Sequence, residues 1–324
     1  MAKPSVVIVS PALADANTGN WHTARRWQRM LASWHPARIT ASWPDARADH
    51  DAVLLALHAR RSAPSIAAWA ERHARGLAVV LTGTDLYRDI ASDAAAQRSL
   101  ALADRLVVLQ PQGLPELPAE HRAKARIILQ SATPRRPLAK TTRHLRAVMV
   151  GHLREEKGPD TLMQAARLLR GDPRIHIDHI GSALSPAWAE AARATERDCP
   201  RYRWLGGLPH EATRRAIQRA HVLVNASRME GGAQVVIEAL ASGTPALVSR
   251  IPGHMGLLGS DWPACFEVGD AAALAALLAA ACADRALLEQ WRLAGARRAA
   301  WFDPAAEARA LHALVQDLLD PNTP

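Results

Sequence analysis

Asn225-Ala-Ser-Arg-Met-Glu-Gly-Gly-Ala-Gln-Val-Val-Ile-Glu-Ala-Leu-Ala-Ser-Gly-Thr-Pro-Ala-Leu-Val-Ser249 is the stretch whose reading decides the fold. It follows an apolar run, 222–224, that reads as a buried strand. A polar turn comes next, with Glu230, Gly231 and Gly232. Residues 234–241 then carry a short helical pattern stopped by Gly243 and Pro245, and 246–248 read as a second buried strand. Glu230 falls in the turn, and Glu238 falls eight positions later on the helix. Glycines ahead of a helix leave backbone N–H groups bare, so that an anion or a sugar oxygen can approach them.

The same alternation extends in both directions. Strands are expected at 6–10, 52–57, 77–81, 105–109 and 127–129, with helices at 21–33, 63–75 and 94–103 between them. A Pro- and basic-rich stretch, 131–146, breaks the rhythm and reads as a linker. A second series follows, with strands at 147–150, 175–180 and 201–205 and helices at 159–169, 186–197 and 211–220 ahead of the opening stretch. Helices at 271–283, 285–299 and 304–319 close the chain. Strands alternating with helices imply an α/β protein with parallel, doubly wound sheets. A chain of 324 residues accommodates two such domains.

Composition narrows the function classes. The net charge of +9 comes from Arg scattered over Ala-rich helices, without a run of basic residues and without aromatic–basic interleaving. Nucleic acid is therefore not expected as a partner, and small anions are. No stretch approaches the roughly 20 apolar residues of a membrane span, and no membrane partner is expected. The apolar run 6–9 is too short for a secretion signal, and Cys199, Cys265 and Cys282 match neither a disulfide framework nor a metal motif. A cytoplasmic protein without a bound metal or cofactor is the expectation. His176 and Asp178 alternate with His179 across a strand, which argues against a metal there. Nothing in the sequence speaks to oligomeric state.

Glu-x7-Glu followed by Ala-Leu-Ala-Ser-Gly-Thr-Pro resembles the donor-site signature of retaining nucleotide-sugar glycosyltransferases, the glycogen-synthase-like group 1 with the GT-B fold. The resemblance implies two Rossmann-like doubly wound domains facing across a cleft. It implies an acceptor domain at 1–140, a donor domain at 141–303, and a C-terminal helix, 304–324, crossing back to the first domain. Val150-Gly-His-Leu-Arg-Glu-Glu-Lys-Gly158 resembles the family's Gly-Arg-x4-Lys-Gly diphosphate loop. Lys157 and Gly158 match it, but His152 stands in the Arg position, so that diphosphate binding is weaker or is shared with Arg154 or Arg228. The loop Leu205-Gly-Gly-Leu-Pro-His-Glu211 resembles the family's segment beside the nucleotide base, or is a plain helix-entry turn. The implied donor contacts are Glu238 on the ribose, Lys157 and His152 on the diphosphate, and Glu230 with Gly231, Gly232 and Ala233 on the sugar.

In the first domain Asn17-Thr-Gly-Asn20 precedes a helix, where Gly19 matches the family's Gly-rich loop facing the donor. Thr18 and Asn20 either line an oxyanion cradle or cap the helix. His58 and Asp85 end strands at the carboxyl edge, where such sheets bind ligands. Both are candidate catalytic residues with Glu230 and Lys157. The other possibilities are a structural His58 and an Asp85 that caps the next turn. Arg25 follows the cradle loop, Arg60 follows His58 and Arg88 follows the Asp85 turn, and the three are candidate acceptor-binding cations.

Residues 81–89 and 18–26 also resemble the selenosugar synthases of selenoneine biosynthesis. That resemblance implies UDP-glucose or UDP-N-acetylglucosamine as donor co-substrate and selenophosphate as acceptor. The acceptor arrives ionised, so positive charge is needed rather than a strong base. A hexosyltransferase with a lipid or small-molecule alcohol acceptor, and a catalytically dead polyanion-binding module on the same scaffold, are the other readings.

Overall fold

The computed structural model describes residues 3–11 and 19–320. The chain divides into two compact units, Met1–Gln130 with Pro304–Pro324, and Ser131–Asp303. The first begins β1 (Ser5–Val9), α1 (Gly19–Leu31), β2 (Ala37–Thr40), β3 (Asp51–Leu57), α2 (Ala63–Arg72) and β4 (Leu77–Leu81). It continues through α3 (Ile90–Ser92), α4 (Ala94–Leu102), β5 (Arg105–Val108) and β6 (Ala125–Ile127). Its six strands are parallel, in the order β2-β1-β3-β4-β5-β6.

The period of two in a strand explains why these runs are continuously apolar. Val7 and Val9 pack with Ile66 and Trp69 of α2 and Leu100 of α4. Val6 and Ile8 turn to the other face, against Trp27 and Leu31 of α1. A parallel sheet covered on both faces has no solvated side to alternate with.

The second unit holds β7 (Leu145–Val150), α5 (Pro159–Leu168), β8 (Ile175–Ile180), α6 (Pro186–Asp198), β9 (Tyr202–Trp204) and α7 (His210–Arg219). It continues through β10 (Val222–Asn225), α8 (Gln234–Leu240), β11 (Ala246–Ser249), α9 (Pro252–Leu258), β12 (Cys265–Phe266), α10 (Ala271–Ala283) and α11 (Arg285–Ala299). Its strands are parallel in the order β12-β11-β10-β7-β8-β9. The last helix, α12 (Pro304–Leu319), belongs to the first unit. Leu311, Leu314, Val315 and Leu318 join the α1 side of that core. Glu307 accepts from Trp27 Nε1 at 2.8 Å and pairs with Arg26 at 3.0 Å.

The border between the units falls at Gln130, ahead of the linker read from sequence. Residues 131–140 are tied to the second unit instead. Arg135 donates its N–H to the carbonyl of Ala241 at 2.8 Å and a guanidinium nitrogen to Glu211 at 2.9 Å, and Lys140 Nζ meets Thr244 Oγ1 at 2.9 Å. β2, β12 and α9 were not legible as elements. β2 and β12 are short, and the Pro-Gly that opens α9 looks like a breaker although Pro is well placed at a first helical turn.

Strand order places the site. In the second unit the chain runs from β7 to β9 on one side, then resumes with β10 beside β7 on the other. The loops leaving β7 and β10 therefore part at the carboxyl edge, where such sheets bind ligands. β1 and β3 form the corresponding switch in the first unit.

Candidate active site

The β7 and β10 loops meet in an ion pair. Lys157 Nζ lies 2.6 Å from Glu230 Oε1. Lys157 ends a single 3-10 turn, Glu155–Lys157, and Gly158 follows at φ 60°. A Cβ at Gly158 would lie 2.2 Å from the carbonyl oxygen of Ala226, so only glycine lets the two loops approach this closely. Ser227 Oγ, at 2.7 Å, also holds Glu230 Oε1.

Glu230 is buried, and its charge is decided by its neighbours. Burial pushes its carboxyl upward, but Lys157, His254 and the Ser227 hydroxyl outweigh that and hold it at about 2. His254, buried on α9, donates its Nδ1–H to the carbonyl of Ser249 at 2.7 Å, and burial holds its imidazole below the ordinary range. Gly253 lets α9 press against the Glu230 backbone, since a Cβ there would lie 2.0 Å from the Glu230 carbonyl oxygen.

Gly231, Gly232 and Ala233 lead into α8, and Ala233 takes a left-handed conformation at φ 33°. Such a backbone costs a non-glycine residue about 1–3 kcal/mol. Glu238, on α8, is buried with its Oε1 2.8 Å from His210 Nε2 and 3.8 Å from Arg214 Nη1. Arg214 is itself buried, and burial lowers its pKa from the usual value. Arg214 was not singled out from sequence, because a buried arginine on a helix rich in Arg looks like one more solvated cation. His152 accepts from the Ser182 N–H through Nδ1 at 3.3 Å, which leaves Nε2 as its proton-bearing nitrogen. Arg228 pairs with Asp160 at 2.9 Å, and Arg154 lies 3.8 Å from Glu156.

At the β3 and β4 ends of the first unit the structure gives Asp85 and His58 the partners of the structural alternatives. Asp85 is fully buried. Its Oδ1 accepts from the N–H groups of Thr82 and Gly83, each at 2.9 Å, and its Oδ2 from that of Ala59 at 2.9 Å. A carboxylate sealed and saturated in this way brackets two loops. His58 is also buried, at φ 77°. Its Nδ1 accepts from the Arg61 N–H at 3.3 Å, so Nε2 carries the proton and donates it to Thr84 Oγ1 at 2.9 Å. Burial pushes this imidazole below its usual pKa and keeps it neutral.

The candidate cations fare differently. Arg60 Nε meets Asp89 Oδ2 at 2.8 Å, and Arg88 Nε meets Asp89 Oδ1 at 3.3 Å. Arg60 and Arg88 are thus brought together, on a buried carboxylate that sequence reading passed over. Arg25 is exposed on α1, 5.8 Å from the centre of the Trp21 ring. Gly19 and Asn20 open α1, where the Gly19 carbonyl accepts from Thr23 Oγ1 at 3.0 Å, and Thr18 lies outside the described residues. Among the described residues no group of three or more His, Cys, Asp or Glu is placed to hold a metal ion. No single helix among them is long and apolar enough to cross a membrane.

Two doubly wound parallel sheets, one with a lysine–glutamate pair at its switch point, make up a GT-B architecture. Residues 131–298 match the group 1 glycosyl transferases, and the chain belongs to that family of enzymes. Sucrose-phosphate synthase from Thermosynechococcus elongatus is similar in structure, with a TM-score of 0.78 at 18% identity over 98% of this chain and 99% of that one. Alr3699/HepE of Anabaena, solved with UDP and glucose, gives 0.73 at 12% identity over 97% and 99%. The pneumococcal O-GlcNAc transferase GtfA, solved with UDP and GlcNAc, gives 0.64 at 18% identity over 82% of this chain and 57% of that one. At these identities the likenesses establish the fold.

Proposed function

We propose that this glycosyltransferase takes a UDP-sugar, UDP-glucose or UDP-N-acetylglucosamine, and transfers the sugar to selenophosphate. Solved relatives of the same fold that hold UDP with glucose or GlcNAc support the donor class. Glu238 takes the ribose hydroxyls, and Lys157 and His152 meet the diphosphate. Glu230, with the backbone of Gly231, Gly232 and Ala233, holds the sugar.

One observation carries the acceptor assignment. At the β3 and β4 ends the two candidate acid–base groups, His58 and Asp85, are sealed with their acceptor atoms in use, while Arg60 and Arg88 stand half-exposed on Asp89. That surface suits an acceptor that is already an anion and needs no base. A selenium lone pair of selenophosphate attacks the anomeric carbon. The bond from that carbon to the β-phosphate oxygen breaks, and its electron pair leaves with UDP, stabilised by Lys157. Water then cleaves the phosphorus–selenium bond, supplying oxygen to phosphorus and a proton to selenium, and phosphate departs.

The test is UDP release from each UDP-sugar with selenophosphate, thiophosphate, or simple alcohols and sugars. Rapid release with selenophosphate alone, and a product bearing selenium's isotope pattern in mass spectrometry, is the expected result. Release driven as fast by an alcohol would replace this reading with an ordinary hexosyltransferase.

A further inference from the structure

We propose that Arg214 is a positioning residue for donor binding, which fixes the Glu238 carboxylate where it can take both ribose hydroxyls of the nucleotide. The assignment rests on the reading of Glu238 above and extends it to a residue that itself touches no ligand.

The two side chains depend on each other for charge. Arg214 on α7 and Glu238 on α8 are 5% and 8% exposed, and Nη1 of the arginine lies 3.8 Å from Oε1 of the glutamate. Burying either charge alone is costly, and removing one partner leaves the other uncompensated. Among the described residues Glu238 is the only carboxylate that Arg214 pairs with. Glu211, on the same helix, is taken by Arg135 at 2.9 Å.

The arginine is braced by backbone. Its Nη2 donates to the carbonyl of Thr133 at 3.1 Å. The segment around Thr133 is bonded to both helices in turn. Gln234 Nε2 of α8 donates to the Ser131 carbonyl at 2.9 Å, Gln218 Nε2 of α7 to the Arg136 carbonyl at 3.0 Å, and the Arg135 N–H to the Ala241 carbonyl at 2.8 Å. Arg214 Nε is buried and has no partner. An arginine kept only to cap or to pack would saturate its donors. The unmet donor marks a guanidinium placed for its charge rather than for its hydrogen bonds.

The carboxylate is anchored at one oxygen and open at the other. Oε1 lies 2.8 Å from His210 Nε2 and faces Arg214, while Oε2 accepts no hydrogen bond from any described residue. A carboxylate oxygen has two lone pairs, so Oε1 still has one for a hydroxyl and Oε2 has both. The adjacent hydroxyls of a ribose are two donors that suit this arrangement. A loose glutamate would lose rotamer freedom on gripping them, and an anchored one has lost it in advance.

Arg214→Met keeps the bulk and removes the charge. Its Kd for UDP and its KM for the UDP-sugar should rise about tenfold, with a much smaller change in kcat. The Kd for dideoxy-UDP, whose ribose lacks both hydroxyls, should stay within about twofold of wild type, because Glu238 has nothing to grip there. A double variant with Glu238→Gln should bind UDP little worse than Glu238→Gln alone, since both changes break one unit. An unchanged UDP Kd in Arg214→Met, an equal loss for UDP and dideoxy-UDP, or effects that multiply in the double variant would overturn the proposal. Should Arg214→Met fail to fold, Arg214→Lys and Arg214→Gln decide it. UDP should bind Arg214→Lys several-fold more tightly than Arg214→Gln, and equal affinities would overturn it. Glu238→Gln separates the two assignments. If it keeps the wild-type preference for UDP over dideoxy-UDP, Glu238 is not the ribose contact and the role of Arg214 falls with it. If Glu238→Gln loses that preference while Arg214→Met keeps it, the ribose contact stands and only the role of Arg214 is refuted.

Discussion

Lys157 Nζ lies 2.6 Å from Glu230 Oε1, so the two charges that the β7 and β10 loops contribute neutralise each other across 73 residues of sequence. Glu230 is almost wholly buried, and Lys157 keeps about a fifth of its side chain in solvent. A buried carboxylate without its cation is expensive, so the pair matters to stability as well as to chemistry.

The pair should therefore couple in a double-mutant cycle. Lys157→Met is expected to lower stability by about 3 kcal/mol, since it leaves Glu230 buried and unpaired. Adding Glu230→Gln should recover about half or more of that loss without restoring turnover. Denaturant unfolding and steady-state rates measured on the three variants check this. Additive losses in stability would mean the pair is not formed.

Acid should expose the same carboxylate. The folded Glu230 carboxyl sits at about 2, below its ordinary 4.5, so its contribution is fully present above pH 4.5 and is lost as pH falls toward 2. The full contribution is on the order of 3 kcal/mol. The stability difference between wild type and Glu230→Gln should shrink through that window. A difference that is flat from pH 5 to pH 2 would contradict the assignment.

Glu238→Ala should weaken UDP by about 2–3 kcal/mol, the worth of a buried carboxylate that takes two ribose hydroxyls. Calorimetry decides it, and equal affinities in mutant and wild type would remove Glu238 from the donor contacts.

Asp85→Ala should act on folding. It strands the N–H groups of Ala59, Thr82 and Gly83 in a buried site. A loss of about 3 kcal/mol or more is expected. Unchanged stability together with a collapse in turnover would return Asp85 to the substrate.

Gly253→Ala should displace Glu230. The added methyl would stand 2.0 Å from the Glu230 carbonyl oxygen, a backbone atom that cannot swing aside as a side chain can. Turnover is expected to fall about a hundredfold, as misplacing a site residue by an ångström does. Wild-type kcat in a folded variant would show that this contact does not position the site.

Several parts of this protein were legible in one dimension because they depend on local pattern. The apolar runs at Val6–Val9 and Val222–Val224 specify strands covered on both faces. The turn carrying Glu230 followed by a helix carrying Glu238 specifies a strand–turn–helix–strand unit. Tertiary structure decided the partners. Strand order sets β10 beside β7 although two strands intervene in the chain, and only that adjacency joins Glu230 to Lys157. The same holds for Arg214 on Glu238, and for Asp89 between Arg60 and Arg88. Asp85 and Asp89 are the same residue type on one turn, both buried. One is saturated by backbone N–H groups, while the other is left to hold two arginines. Sequence identifies a carboxylate, but the use it is put to depends on which donors the fold places within about 3 Å of it, and those come from chain segments that local pattern does not connect.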